Sequence, residues 1–161
     1  MNKCFLYLSV QCYEFTPSKL LGLENQCQKN NKKMGITGYL YYKSPYFVQY
    51  FEGEEKNAND LMKKIVHDKR HKIEVTLQQN TILKRRFPQW HMKHIKKPPI
   101  LSINMEYIIL EQLQQFLKFQ NNKQEWPFDI WRTVDSLATM HSKNTVKLEI
   151  KNSIEVKNIK M

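Results

Sequence analysis

The sequence lacks the features that mark several classes of protein. No apolar run approaches the roughly 18 residues that a membrane-spanning helix needs, and there is no internal repeat or low-complexity segment. The apolar start "MNKCFLYLSV" continues into "QCYEF" instead of a small-residue cleavage site, so we interpret it as a first strand. Three cysteines occur without a CxxC pair, and no Cys/His/carboxylate set has the count of a metal site. This favours a reduced, cytoplasmic protein without a metal.

Acidic residues are scarce, with 15 Asp and Glu against 26 Lys and Arg in 161 residues, for a net charge of +11. Residues 63–97 hold much of this excess, with eleven Lys and Arg against two acidic residues. Such a band is typical of nucleic-acid-binding proteins. Composition alone is a weak sign, however, and no strand shows an aromatic and basic stacking surface. Direct nucleic-acid binding is therefore an alternative and not the main interpretation.

Hydrophobic periodicity predicts the element order β-α-β-β-α-β-β over the first 97 residues. Thr16 is a favourable N-cap and Pro17 suits the first position of a helix. The predicted elements are strand 3–9, a helix from residue 17, strands 36–43 and 46–53 joined by "SP", a helix within 54–71, and strands 72–82 and 87–95. This order predicts an α+β, ferredoxin-like sheet with two helices on one face.

Two further helical patterns follow the segment "KKPP" at residues 96–99, which we interpret as a boundary. Their apolar positions fall within 105–117 and 128–138, and we expect them to cover the other face of the sheet. The predicted organisation is a first domain over 1–97, a helical extension over 98–141 and a basic, polar tail over 142–161. Within the tail, "VKLEIK" alternates, so it either adds a strand or belongs to the tail.

One residue of the third strand is out of keeping with its neighbours. Strand side chains alternate between the two faces of a sheet, so Gln49 shares a face with Phe47 and Phe51. A buried amide without partners costs roughly 1–3 kcal/mol. Its side chain therefore needs a hydrogen-bond partner in the protein or in a ligand.

Other polar and redox-capable residues fall where they could share a pocket with this glutamine. The pocket is expected between the two helices, with the sheet as its floor. Its candidate residues are Tyr7, Asn30, Asn31, Gln49, Trp90 and Met92. Taken one at a time, Tyr7, Trp90 and Met92 are more often core residues, and the Asn30–Asn31 pair is more often a helix C-cap. Gln49 is harder to explain in this way, although a buried water could be its partner.

Five pieces of sequence together resemble the BLUF family of blue-light sensors that use a flavin. They occur in the order and with the spacing of that family, over about residues 2–95. The pieces are "YLS", "NNKKMGITGYLYY", "YFVQYFEG", "IVHDKRH" and "RRFPQWHM".

The resemblance implies a non-covalently bound FAD, with FMN or riboflavin as alternatives. It implies that Gln49 bridges Tyr7 to the flavin N5 and O4, and that Asn30 and Asn31 bind the pyrimidine edge. A side-chain amide suits this position because it offers both a donor and an acceptor. Phe47 and Phe51 are then interpreted as local packing. The remaining cofactor-binding residues implied are Ser9, Lys64, Asp68, Arg70 and His71.

The resemblance also implies a photochemical mechanism. Tyr7 is neutral at pH 7 and supplies an electron and a proton to the photoexcited flavin. Their return leaves Gln49 with rearranged hydrogen bonds, which shifts the absorption to the red without a covalent bond. Trp90 and Met92 then carry the signal through the fifth strand.

No catalytic output domain is expected, because residues 98–161 are too few for a cyclase or phosphodiesterase. The resemblance therefore implies a non-enzymatic photosensor that acts on a downstream signalling protein, such as a transcriptional regulator. The two C-terminal helices are the expected relay and a surface for self-association. An acylphosphatase-like enzyme is a competing use of this fold. Its anion loop needs an arginine, which the loop "SVQCYEF" lacks.

Overall fold

The computed structural model describes residues 1–87, 89–94, 105–121, 129–140 and 142, and for residues 90–94 and 121 the description is limited to the backbone. The elements are β1 (Asn2–Gln11), α1 (Pro17–Lys33), β2 (Thr37–Lys43), β3 (Tyr46–Glu54), α2 (Glu55–Val66), β4 (His71–Ile82), β5 (Trp90–His94) and α3 (Met105–Asn121), followed by α4 (residues 130–140). The predicted order of elements is confirmed.

The ends of α1 follow from single residues. The Thr16 side chain accepts a hydrogen bond from the backbone N–H of Lys19 at 3.3 Å, and Pro17 opens the helix. Such a cap satisfies one of the N–H groups that a helix start leaves without a partner. At the other end, Gly35 has a φ of +61°, a left-handed conformation that glycine adopts without strain. The chain turns there from α1 into β2.

The five strands form one sheet in the order β4-β1-β3-β2-β5. Neighbours pair antiparallel, except that β5 runs parallel to β2. The register sets one row of residues across the sheet. Tyr7 lies opposite Gln49, Gln49 opposite Leu40, and Leu40 opposite Met92.

Each face of the sheet has its own apolar packing. One face meets α3 and α4 in a continuous core whose fully buried members include Leu6, Leu8, Tyr41, Leu113 and Val134. The other face carries two separate clusters. Ala58 of α2 packs with Phe5 and Phe51 in one cluster, whereas Leu20 of α1 packs with Phe15 and Phe47 in the other. The predicted architecture, with two helices on each face, is confirmed, and the separation of the two clusters leaves a gap between α1 and α2.

Some sequence predictions fall outside the described residues. These are the proposed boundary "KKPP" at residues 96–99 and the possible strand in "VKLEIK". In the part of the chain that the structure describes, no helix is both long enough and apolar enough to cross a membrane.

Candidate functional site

The gap between α1 and α2 is a cavity of about 160 Å³ with the sheet as its floor. The cavity opens to solvent, and the empty space including this open part is about 790 Å³. Its lining residues are Tyr7, Phe15, Leu23, Gln26, Cys27, Asn30, Asn31, Leu40, Phe47, Gln49, Leu61, Lys64, Ile65, Asp68, Arg70 and His71.

A hydrogen-bonded pair lies at the floor of the cavity. The Tyr7 hydroxyl donates to Oε1 of Gln49, and the two side chains are only 3% and 5% exposed. Burial raises the pKa of Tyr7 well above its usual value near 10, and the nearby Cys27 and Asp68 raise it further. The phenol is therefore held in its neutral form, in which it is a hydrogen-bond donor.

One wall of the cavity comes from a single face of α1. Leu23, Cys27 and Asn30 follow at the three- and four-residue spacing that places side chains on one side of a helix. Asn31 is buried at the end of this wall, with 2% of its surface exposed. Burial raises the pKa of the Cys27 thiol to about 11, so this side chain is an uncharged wall residue at neutral pH.

The opposite wall and the mouth come from α2 and the turn that follows it. Leu61 and Ile65 supply apolar surface, and Lys64 lies on the same side of the helix. Arg70 donates from Nε to both carboxylate oxygens of Asp68, each at 2.9 Å. Burial on its own would raise the pKa of Asp68, but these hydrogen bonds lower it on balance. The Asp68–Arg70 pair therefore holds a charged, ordered turn at the mouth.

His71 lies beside the Tyr7–Gln49 pair at the floor of the cavity. Its ring lies 6.0 Å from the Tyr7 ring at an interplanar angle of 12°. Burial lowers the pKa of His71 below its usual 6.5, so the ring is neutral at pH 7. Its buried Nδ1 has no hydrogen-bond partner among the described residues, which leaves a polar atom available to a ligand.

The structure brings most of the predicted site residues together. Eight of them line the cavity: Tyr7, Asn30, Asn31, Gln49, Lys64, Asp68, Arg70 and His71. Ser9 is fully buried on β1 and does not line the cavity, and its Oγ has no partner in the described part of the chain. Trp90 and Met92 lie in β5, opposite Gly38 and Leu40 of β2, and their side chains are outside the description.

Sequence reasoning missed the apolar walls. Leu23, Cys27, Leu61 and Ile65 fit the apolar stripes of two helices, and a stripe of this kind normally indicates core packing. The interpretation of Phe47 as local packing is incomplete, because its side chain also lines the cavity. The signal that could have found these residues is their combination with polar residues on the same helix face.

Comparison with known proteins identifies the family. Residues 3–93 match the family model of BLUF, described as sensors of blue light using FAD. The chain belongs to the BLUF family. The alpha subunit of the photoactivated adenylate cyclase of Euglena gracilis is 38% identical over 79 residues, which are 45% of this chain and 8% of that protein. This chain spans about a tenth of the length of the curated relatives it matches.

Solved structures agree with this assignment. A bacterial light-regulated adenylyl cyclase superimposes with a TM-score of 0.64 and 27% identity, over 76% of this chain and 36% of that one. The BLUF protein BlrB in its dark state superimposes with a TM-score of 0.51 and 27% identity, over 58% of this chain and 71% of that one.

The residues of the cavity fit FAD, the cofactor of the BLUF family. A flat isoalloxazine ring needs apolar walls, and Leu23 and Ile65 supply these from opposite sides. Its polar edge needs buried donors and acceptors, which Asn31 and Gln49 provide. Basic groups such as Lys64 at the mouth suit an anionic phosphate.

Proposed function

We propose that this BLUF chain senses blue light through the Tyr7–Gln49 pair at the floor of a flavin site. The observation that carries the proposal is the buried hydrogen bond from the Tyr7 hydroxyl to Gln49 Oε1, at the floor of a cavity lined by both residues. A polar pair in such a place has a strong effect on whatever the cavity holds, because hydrogen bonds are stronger where water is excluded.

Bound FAD would supply the absorption of blue light and an excited state that oxidises a nearby phenol. Tyr7 would give up an electron and its hydroxyl proton to the bound flavin, and both would later return to Tyr7. Gln49 accepts from Tyr7 before this step, so the loss of the proton frees its side-chain amide to change its orientation or tautomer. The return of the proton would then leave the Gln49 amide with a different set of hydrogen bonds to the groups in the cavity.

Asn31→Ala is expected to weaken flavin binding by about ten-fold, or about 1.4 kcal/mol. Asn31 is buried against the cavity, so the change removes polar contacts to the ligand that no water replaces. Flavin titration of the apoprotein, followed by the quenching of flavin fluorescence, measures the affinity.

Gln28→Ala is the matched control, because Gln28 is an exposed residue of α1 that does not line the cavity. Equal flavin affinities for the two variants would show that the Asn31 side chain does not contribute to flavin binding. A parent protein that stays colourless and takes up no added flavin would overturn the proposed function itself.

We extend the proposal to the output. The row Gln49–Leu40–Met92 runs across three adjacent strands, so a displacement at Gln49 is passed through one intervening strand to β5. The exchange of Trp90 and Met92 between two arrangements would make β5 a bistable element of the kind that switches use.

Trp90→Ala is expected to abolish the light-induced change in β5 while leaving the flavin spectrum responsive. Hydrogen–deuterium exchange of residues 90–94 in the dark and under blue light measures this change. His91→Ala, at the next position of the same strand, should retain it. A light response of Trp90→Ala equal to that of the parent would exclude Trp90 from the relay.

The proposal also concerns the protein or domain that receives the light signal from this chain. Two of the proteins described above are light-regulated adenylyl cyclases, in which a light signal controls an effector. We propose that this chain likewise acts on an effector protein or domain. None of the relatives described above is a transcriptional regulator, and self-association through α3 and α4 remains a prediction.

A further inference from the structure

A buried carboxylate lies on the sheet face opposite the cavity. Glu52 of β3 has none of its surface exposed. It accepts hydrogen bonds from the Tyr50 hydroxyl at 2.7 Å and from the backbone N–H groups of Arg86 at 3.0 Å and Phe87 at 2.7 Å. Hydrogen bonds to a charged acceptor are among the strong ones. One side chain of β3 therefore holds the segment that leads into β5.

Arg86 extends these contacts to the C-terminal helices. Its Nη1 donates to the Tyr50 hydroxyl at 3.3 Å, and its Nε donates to Oδ1 of Asp135 in α4 at 2.5 Å. The guanidinium also lies 5.5 Å from the ring of Trp131 in α4. We refer to Tyr50, Glu52, Arg86 and Asp135 as the Arg86 network.

The Arg86 network is hydrogen-bonded without a break from α4 to β3. Asp135 accepts from Arg86, Arg86 donates to Tyr50, and Tyr50 donates to Glu52. Burial on its own would lower the pKa of Arg86, but its hydrogen bonds with Tyr50 and Asp135 raise it on balance. The guanidinium therefore stays charged, and its planar fork fixes the angle between its partners.

The network touches the same strands as the proposed photochemistry. Gln49 and Tyr50 are consecutive residues of β3, so their side chains point to opposite faces of one strand. Phe87, which Glu52 holds, precedes the start of β5 at Trp90 by three residues. A shift of β3 or β5 therefore changes the geometry of the network directly.

The two ends of the network differ in their exposure to water. Glu52 is fully buried, whereas the Asp135 side chain is 57% exposed and that of Arg86 is 14% exposed. Ion pairs in contact with water contribute little, commonly below about 1 kcal/mol. Water can solvate the Asp135 carboxylate when this contact opens, whereas opening at Glu52 would leave a buried carboxylate without partners. A displacement that strains the network is therefore relieved at the Arg86–Asp135 contact.

We propose that Arg86 is a positioning residue that couples the light-driven movement of β3 and β5 to α4, and that the Arg86–Asp135 contact opens and closes with the signal. The proposal rests on the proposed light-sensing function. According to this proposal, the C-terminal helices receive the signal at the Arg86–Asp135 contact.

Hydrogen–deuterium exchange of residues 130–140 in the FAD-loaded full chain tests the proposal, measured in the dark and under blue light beside the absorption spectrum. In the parent, α4 should exchange faster in the light. Arg86→Ala should keep the red shift of the flavin but reduce the light-minus-dark difference in α4 to about a fifth. A purely structural role would instead change both states equally and leave the difference intact.

Arg85→Ala is the matched control, because Arg85 is the adjacent arginine and donates to Thr37 of β2. It should behave as the parent does. Asp135→Ala removes the Arg86–Asp135 contact by changing its more exposed partner. It therefore provides the same test if Arg86→Ala does not fold. A parent-like difference in α4 for either variant, or a red-shifting parent whose α4 does not respond, would overturn the proposal.

A dark-state comparison separates this proposal from the one it rests on. In the dark, the double variant should raise α4 exchange no further than Arg86→Ala does, because Arg86→Ala already removes the Arg86–Asp135 contact. Asp135→Ala should raise it to at most the same degree, because the guanidinium then stays near Trp131. Additive effects would show that the two residues act independently and would overturn the network. A parent without any red shift would instead contradict the light-sensing function.

Discussion

Gln49→Leu is expected to yield a protein that still takes up flavin but whose absorption does not change under blue light. Leucine retains much of the side-chain volume, so the cavity walls stay in place. It has no donor or acceptor, so the hydrogen bond from Tyr7 is lost and no amide remains to be rearranged. The measurement is the light-minus-dark absorption difference, which should fall at least about ten-fold if the amide is the switch.

The chain offers a matched control in a second tyrosine–glutamine pair. The Tyr42 hydroxyl donates to Oε1 of Gln11 at 2.7 Å, and neither residue lines the cavity. Gln11→Leu should therefore keep the full spectral response. A normal red shift in Gln49→Leu would show that the response does not depend on this amide.

Tyr7→Phe is expected to lose the normal photocycle with little loss of flavin binding. Phenylalanine fills nearly the same space but carries no hydroxyl proton and is much harder to oxidise. Because burial raises the pKa of Tyr7 well above 10, the parent keeps its phenol proton in mildly alkaline solution. The red shift of the parent should therefore persist from pH 7 to about pH 10.

Tyr42→Phe is the control for the second prediction, since it removes a hydroxyl from the other pair. Time-resolved absorption after a blue flash measures the formation and recovery of the shifted state. Two results would contradict the assigned role: an unchanged photocycle in Tyr7→Phe, or a parent shift that disappears between pH 7 and pH 9.

Local signals determine much of this fold, and they were readable in the sequence. Thr16 and Pro17 predicted the start of α1, and the structure begins the helix there. Alternation predicted that Gln49 shares its face with the two phenylalanines, and the sheet register places it opposite Tyr7. The parallel pairing of β5 with β2 had no local signal, because strand order depends on contacts between distant segments.

The candidate site was predictable only in part, and for a physical reason. Gln49 stood out because it interrupts an apolar strand, whereas roles were assigned to Tyr7 and Asn31 only through the resemblance to BLUF proteins. The apolar wall residues Leu23 and Ile65 did not stand out, since a helix stripe that faces a ligand has the same pattern as one that faces a core.

The Arg86 network shows a second limit of prediction from sequence, which is the identity of residues that pair over a long distance in the chain. Glu52 stands in an apolar strand, as Gln49 does, and alternation places it on the face of Tyr50. Its partners could not be identified from spacing, since Arg86 is 34 residues away and Asp135 is a further 49 residues along the chain. Only the packing of α4 against the sheet brings these charges together.

The most direct test of the central claim is the absorption spectrum of the purified, FAD-loaded parent protein before, during and after blue illumination. We predict a flavin spectrum that shifts to longer wavelength in the light and returns in the dark without loss of the cofactor. A flavin spectrum that stays unchanged, or that only bleaches, would contradict the claim that the Tyr7–Gln49 pair makes this chain a light sensor.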